Sequence, residues 1–274
     1  MSTTITAADI NKLRQTTGAG MLDCRKALTE SNGDFEAAID WLRKQGQKVA
    51  AKRSDREAKE GVVIAQTTAD GKSGIVLCIS CETDFVSKNT DFVAFAQSIA
   101  DAAIANNVKT VEELNSVNIN GATVEQLIND KLAAIGEKIA ISKFERVDAP
   151  YVASYIHGAN RMGVLVSMTK AAADAGKDVA MQIAAMNPLA VDETSISQEI
   201  KDREKAIAIE MIKAEGKPAE MAEKIADGKM NKFFKDNTLM AQAFVKDNSK
   251  SVADYLKSID ADLKVTDFKR VALG

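Results

Sequence analysis

The chain has 274 residues, and its content of 46% hydrophobic and 27% charged residues is typical of a folded protein with two or three compact units. Its net charge of −3 and pI of about 5.5 argue against direct binding of nucleic acid, which needs a basic face to replace the phosphate counterions. The first 20 residues lack the apolar core of a signal peptide, and no run of about 18 apolar residues exists, so we expect a cytoplasmic protein without membrane contact.

Residues 1–46 are predicted to form three short helices. Thr6 and Asp9 have the spacing of a capping box, and Gly18-Ala19-Gly20 breaks the chain after the first helix. The third helix carries an apolar stripe at helical spacing, and we expect this helix to end at Gly46. The stripe consists of Phe35, Ala38, Ile39 and Leu42. The pattern resembles a ubiquitin-associated-type three-helix bundle, and the polar residues 47–60 that follow are interpreted as a linker helix or hinge.

From Gly61 the hydrophobic period changes to two, which predicts strands. Asp70-Gly71 is a typical hairpin turn before a second strand from Gly74 to Glu82. A polar loop and a helix follow, and the spacing of Thr123 and Gln126 predicts the capping box of a further helix, which ends at Ile135-Gly136. A strand over residues 138–147 then completes a half-domain at 61–148, in which helices accompany a small antiparallel sheet.

The same order of elements recurs about 90 residues further along the chain. Residues 151–157 and 163–166 are predicted as strands around a turn, and residues 178–183 as part of a helix. We therefore predict an α+β fold in which a second half-domain, residues 149–274, is related to the first. A helix at 251–258 and a strand at 263–272 close it.

A different pattern interrupts the second half-domain at residues 196–235. Isoleucine and methionine punctuate a heavily charged stretch, and Gly216-Lys217-Pro218 divides it in two. This predicts a helical hairpin that resembles a coiled coil and projects from the half-domain. Stability or dimerisation is the role we expect of it.

Residues with catalytic or metal-binding chemistry are few. The one histidine, His157, excludes a His-based metal cluster, and its place at a strand end is more typical of packing or hydrogen bonding than of catalysis. Cys78 and Cys81 match a C-x-x-C motif, but residues three apart on a strand point to opposite faces, so we interpret both as structural cysteines. We expect no metal site, no cofactor and no catalytic residue, and hence a protein that is not an enzyme.

The end of the second predicted strand offers a candidate protein-binding segment, which consists of Thr83, Asp84, Phe85 and Val86. Phe85 shares the parity of Ile79 and Cys81, and this pattern by itself favours burial in the core. An exposed phenylalanine beside an aspartate would instead be a binding hot spot. Hydrophobic periodicity does not choose between these two interpretations.

Two segments together carry a resemblance to a known family. Residues 13–28 read LRQTTGAGMLDCRKAL, and residues 81–88 read CETDFVSK. In sequence, order and spacing they resemble the two signatures of the bacterial elongation factor Ts family. Shorter matching segments, among them Ile135-Gly136-Glu137 and Gly163-Val164-Leu165-Val166, extend the resemblance over essentially the whole chain.

The resemblance implies a guanine-nucleotide exchange factor for elongation factor Tu, which promotes GDP release during translation elongation. It implies that the segment from Thr83 to Val86 enters the G domain of elongation factor Tu near the magnesium ion of the nucleotide, with Asp84 and Phe85 intruding. Further contacts with that partner are implied for Arg14, Met21, Leu22, Ile135, Gly136 and His157. The C-terminal half and the hairpin would contact other parts of the partner or a second copy, as in a homodimer or a 2:2 complex.

Two alternatives come from other classes of protein. A ubiquitin-associated-type bundle on a scaffold also fits a binder of ubiquitin or of nascent chains. A small redox enzyme that uses Cys78 and Cys81 is the enzymatic alternative. A test of binding to elongation factor Tu distinguishes the first alternative from an exchange factor, and titration of the thiols distinguishes the second.

Overall fold

The computed structural model describes residues 4–53, 55–215 and 218–274. Within these ranges, no helix combines the length and the apolarity that crossing a bilayer requires. The N-terminal bundle consists of α1 (Ala7–Thr17), α2 (Met21–Glu30) and α3 (Phe35–Arg53). Its core is formed by Leu13, Ala19, Cys24, Ala27, Leu28 and Ala38, which are all buried.

The capping box predicted at the start of α1 is present. The Thr6 side chain accepts a hydrogen bond from the backbone N–H of Asp9, and the Asp9 carboxylate accepts one from the backbone N–H of Thr6. Gly18 ends α1 with a φ of 70°, a left-handed conformation that glycine adopts without strain. The break predicted at Gly18-Ala19-Gly20 is therefore confirmed.

The first half-domain combines one larger sheet with four helices and two short strands beside it. Its elements are β1 (Glu60–Thr67), β2 (Ser73–Cys81), α4 (Asp84–Ser87), α5 (Thr90–Ala105), α6 (Val111–Ser116), β3 (Asn118–Ile119), β4 (Ala122–Thr123), α7 (Val124–Ile135) and β5 (Ala140–Asp148). The sheet is antiparallel in the order β1-β2-β5. The predicted capping box of Thr123 and Gln126 starts α7, and Gly136 ends it with a φ of 79°.

The second half-domain begins with another hairpin. Its elements are β6 (Tyr151–His157), β7 (Met162–Met168), α8 (Ala173–Met186), a single 3-10 turn (Glu193–Ser195), α9 (Gln198–Ala214), α10 (Ala219–Asn237), β8 (Ala243–Phe244), β9 (Asp247–Ser251), α11 (Val252–Ile259) and β10 (Val265–Ala272). The larger sheet is antiparallel in the order β6-β7-β10. The short elements β3, β4, α6, β8 and β9 were not predicted, because each is too short to show a hydrophobic period.

The two larger sheets have the same connectivity. In each, a hairpin supplies an edge strand and the central strand, a helix follows, and a later strand pairs antiparallel with the central strand. The predicted relation between the two half-domains is therefore confirmed at the level of topology.

The half-domains share a core where their sheets meet face to face. Ile75, Leu77 and Ile79 of β2 pack against the helices of the first half-domain, whereas Val76 and Cys78 belong to the cluster between the sheets. A side chain at Gly74 would meet Val152 and Leu165 of the other sheet at about 3 Å, so glycine permits this close approach. The strand parity predicted for β2 is correct, and the tertiary structure buries both of its faces.

The expected helix end at Gly46 is wrong, because α3 continues to Arg53. Gly46 is buried where α3 crosses α7, and a Cβ atom at this position would lie 2.9 Å from the Cβ of Ala133. This glycine therefore serves close helix packing and not termination. The segment predicted as a linker, residues 47–60, consists of the last turns of α3, a short connection and the first residue of β1.

The predicted helical hairpin is formed by α9 and α10. Ala208 and Ile212 of α9 pack against Ala222 and Ala226 of α10, and these four side chains are buried in a small cluster of their own. An ion pair of 2.8 Å between Lys205 and Asp227 joins the two helices on the outside. The predicted interruption falls on residues 216–218, of which 216 and 217 lie outside the described residues.

Candidate protein-binding site

The segment from Thr83 to Val86 does not continue the strand. β2 ends at Cys81, Thr83 takes the N-cap position with φ −123° and ψ 154°, and the one-turn helix α4 follows where a loop was predicted. The alternation of faces that placed Phe85 in the core applies only within a strand. Phe85 is 86% exposed, so the interpretation favoured by the sequence pattern is wrong for this residue.

α4 presents an aromatic side chain and a carboxylate side by side. Val86 is half-buried and packs against the core of the first half-domain, which anchors the helix and turns Phe85 outward. Asp84 forms an exposed ion pair of 2.6 Å with Lys88, and this hydrogen bond lowers the pKa of the Asp84 carboxyl. The carboxylate therefore stays ionised beside Phe85 at neutral pH.

Two glutamates brace the base of α4. Glu137 accepts hydrogen bonds from the backbone N–H of Glu82 at 3.2 Å, from that of Thr83 at 3.1 Å and from the Thr83 hydroxyl at 2.7 Å. The Glu82 carboxylate accepts one from the backbone N–H of Lys138 at 2.6 Å. Each carboxylate thus binds the backbone of the other's segment, and we call this pair the carboxylate clamp.

The clamp also reaches the end of the N-terminal bundle. Glu82 forms ion pairs with Arg53, the last residue of α3, at 2.8 Å and with Arg56 at 3.0 Å. The Glu82 carboxylate accepts hydrogen bonds from the Lys138 N–H and from these two guanidinium groups, which lowers its pKa to about 2. Sequence reasoning missed this role of Glu82 and Glu137, since isolated charged residues next to a turn follow no period.

A groove of about 980 Å³ separates the N-terminal bundle from the first half-domain. Phe85, Val86 and Ile135 line it together, so the structure brings these three predicted site residues into one place. Apolar side chains from both walls also line it, among them Ile39, Trp41, Leu42, Phe92 and Phe95. The groove thus combines apolar side chains with charged ones such as Asp130 and Lys131.

The other predicted residues lie outside the groove lining. Arg14 is exposed in the last turn of α1, and Met21 and Leu22 are 59% and 77% exposed at the start of α2. Gly136 is half-buried at the left-handed cap of α7. Four of the predicted site residues are therefore exposed apolar side chains: Met21, Leu22, Phe85 and Ile135.

His157 lies at the same end of the sheets as α4. It is exposed at the end of β6, where its Nδ1 is 2.9 Å from the hydroxyl of Tyr155. The following turn is bound to β1, since the backbone O of Asn160 accepts the N–H of Val63 at 2.7 Å. Because β1 also begins opposite Cys81, the turn after His157 and the segment after Cys81 share one end of the molecule.

Cys78 and Cys81 do not form a bridge. Both thiols are free and buried, and they belong to clusters on opposite faces of β2. Burial raises the pKa of Cys78 and raises that of Cys81 to about 12. Thiols that are held protonated and out of solvent are poor nucleophiles, which disfavours the redox alternative. In the described part of the chain, no group of three or more His, Cys, Asp and Glu side chains is arranged to hold a metal ion.

Comparisons with known proteins agree on one family. A family model described as "Elongation factor TS" matches residues 82–274. Proteins named "Elongation factor Ts" from Christiangramia forsetii and Flavobacterium psychrophilum are 50% and 51% identical, covering 98% and 99% of this chain and 99% of each relative. One from Methylococcus capsulatus is 44% identical over 98% of this chain and 92% of its own length.

Exposed apolar side chains such as Phe85 are typical of surfaces that bind another protein. Family model and relatives together show that the chain belongs to the elongation factor Ts family. It is accordingly a translation elongation factor of the bacterial type, with a role in protein biosynthesis.

Proposed function

We propose that this chain is a guanine-nucleotide exchange factor that binds GDP-bound elongation factor Tu in the cytoplasm and promotes release of the GDP. One observation carries most of the proposal: Phe85 is 86% exposed on a braced one-turn helix, beside the carboxylate of Asp84. Membership of the elongation factor Ts family supplies the identity of the partner.

An exposed phenylalanine has a physical reason to bind. Full burial of such a side chain stabilises by about 1.5–3 kcal/mol, and Phe85 leaves most of this free energy unused in folding. The same end of the molecule exposes Ile135 and Ile156, which are 37% and 36% exposed. A partner that covers these side chains buries apolar surface that stays exposed in the folded chain, and this burial contributes to the free energy of binding, as at interface hot spots.

Exchange requires better contacts with the nucleotide-free partner than with its GDP-bound form. A G protein with nanomolar affinity holds GDP by about 12 kcal/mol, so spontaneous release is slow. Phe85 would act as an apolar wedge that displaces the groups supporting the magnesium ion, with Asp84 beside it. Loss of the ion removes the largest positive charge at the β-phosphate, and GDP binding weakens.

This mechanism needs no acid, base or nucleophile from the chain, so the protein is not an enzyme in the sense of making or breaking covalent bonds. The binding of the exchange factor and the binding of the nucleotide are coupled reciprocally. GTP therefore weakens the affinity for the exchange factor by the same ratio by which the exchange factor weakens the affinity for GTP. GTP binding would thus complete the cycle by expelling it.

The proposal is tested by stopped-flow fluorescence. Elongation factor Tu loaded with labelled GDP is mixed with excess unlabelled GDP and increasing amounts of this chain. We expect the release rate to rise with its concentration to a plateau, and chromatography to recover the GDP intact. A release rate that stays at the spontaneous value at saturating concentration would refute the proposed function.

A further inference from the structure

The position of α4 depends on contacts from outside the helix. α4 has only four residues, and one isolated helical turn is unstable in water. Its N-cap residue, Thr83, makes no side-chain capping bond, and the Thr83 hydroxyl donates a hydrogen bond to Glu137. Val86 anchors one side of the helix in the core, and the hydrogen bonds to Glu137 hold its N-terminal end.

We propose that Glu137 is a positioning residue, which fixes the direction in which Phe85 is presented to the partner. The proposal rests on the proposed function for its consequence and on the carboxylate clamp for its geometry. Glu137 binds two consecutive backbone N–H groups and a hydroxyl at the base of α4, and these three bonds determine how the helix leaves β2. No other described side chain makes a hydrogen bond to the N–H groups of Glu82 and Thr83.

The carboxylate clamp also sets the spacing between Phe85 and Ile135. Glu137 directly follows Ile135 and Gly136, and the return bond from the N–H of Lys138 to Glu82 prevents the two segments from sliding past each other. Phe85 and Ile135, one on each of the two clamped segments, line the same groove. A partner that contacts both side chains therefore meets a spacing that is present before binding.

Preorganisation explains why a charged clamp stands at this place. A phenylalanine on a mobile loop would lose conformational freedom on binding, and this loss would weaken the complex. Hydrogen bonds to ionised groups are stronger than those between neutral groups, so two carboxylates hold the short helix more firmly than amides would. The ion pair of Glu82 with Arg53 extends the same restraint to α3, which supplies the other wall of the groove.

Hydrogen exchange of the chain without partner tests the geometry. At the C-terminal end of α4, the N–H groups of Lys88 and Asn89 donate to the backbone oxygens of Asp84 and Val86 respectively. In Glu137→Ala we expect a peptide that covers residues 83–89 to exchange about tenfold faster or more, the factor that one hydrogen bond to a charged group contributes. Glu137→Gln, which keeps the shape and loses the charge, should give a smaller increase and also serves if the alanine variant fails to fold.

The matched control is Glu145→Ala, on strand β5, which begins shortly after Glu137. The Glu145 side chain is exposed and makes no hydrogen bond or ion pair in the described structure, so we expect unchanged exchange at residues 83–89. Equal exchange in the Glu137 and Glu145 variants would overturn the proposal. This measurement needs no elongation factor Tu, and it therefore decides the geometry even if the wild-type chain fails to accelerate GDP release, a result that would refute only the proposed function.

GDP release then tests whether Glu137 acts through Phe85. We expect Glu137→Gln to lower the plateau rate of release more than it changes the half-saturating concentration. In the background of Phe85→Ala the same substitution should have little further effect, because the side chain that it positions is gone. Losses that multiply in the double variant would assign Glu137 a merely structural role and overturn the proposal.

Discussion

Replacement of Phe85 by alanine separates a binding role of this side chain from a packing role. Only about one-seventh of its surface is buried, so its hydrophobic contribution to folding is about 0.3 kcal/mol, compared with ~1.5–3 kcal/mol for full burial. Alanine has the higher helix propensity by about 0.5 kcal/mol, which offsets this loss. We therefore expect the melting temperature to change by less than about 2 °C.

The effect on nucleotide exchange should be much larger. A hot-spot side chain contributes about 2 kcal/mol or more to an interface, which corresponds to a release rate about 30-fold lower at equal concentration. Ile259→Ala is a matched control, because Ile259 is 49% exposed on α11, far along the chain from the site, and should leave the rate unchanged. The deficit of Phe85→Ala should shrink when magnesium is chelated, since the step that the wedge assists has then already occurred.

Two assays read the outcome: thermal unfolding by circular dichroism, and stopped-flow release of labelled GDP from elongation factor Tu. A buried phenylalanine would lose about 3–5 kcal/mol on truncation. A sharp fall in melting temperature with normal exchange per folded molecule would therefore refute both the exposure of Phe85 and its role as a wedge. Asp84→Ala should also slow GDP release with little change in melting temperature. If the two side chains act together, the loss of exchange in the double variant should be less than the sum of the two single losses in free energy.

Four further outcomes are expected. The double variant Cys78→Ser, Cys81→Ala should lose some stability but keep nearly normal exchange, because the thiols lie on opposite faces of β2 and take no part in binding; a large loss of exchange in the folded variant would contradict this. Deletion of residues 1–46 should weaken exchange and leave the remainder folded by circular dichroism, with a lower melting temperature because α3 packs on α7; an unfolded remainder would show that the bundle is not separable. Replacing α9 and α10 by a short turn should change the size of the protein or its complex in light scattering more than it changes GDP release, and the reverse result would place the hairpin in the exchange mechanism. The pKa of Glu82 is lowered to about 2, chiefly because its carboxylate accepts a hydrogen bond from a backbone N–H. Ionised Glu82 therefore stabilises the fold fully above pH 4.5, its ordinary pKa, and this stabilisation is lost as pH falls towards 2. In denaturant titrations the stability advantage of the wild type over Glu82→Gln should therefore shrink between about pH 5 and pH 2, and a constant difference would contradict the assignment.

Local features of the chain were readable from its sequence because their causes lie within a few residues. The capping boxes at Thr6 and Thr123, the αL glycines Gly18 and Gly136, and the hairpin turn at Asp70 each depend on neighbours along the chain, and all are present. The alternation that separated Cys78 from Cys81 is likewise a property of one strand. The same locality allowed the repeated order of elements to predict two related half-domains.

The direction of Phe85 and the role of Gly46 were decided by the tertiary structure. Parity favoured Phe85 in the core and left exposure as the alternative. The strand ends four residues earlier, and Glu137, more than 50 residues away in sequence, binds Thr83 at the start of α4. Gly46 was predicted to end a helix, but α7 packs against it and the helix continues. Both outcomes arise from contacts between segments distant in the chain, and a hydrophobic period carries no information about which distant segment will pack against it. The sequence therefore determined the longer elements and the family, while the packing determined the site.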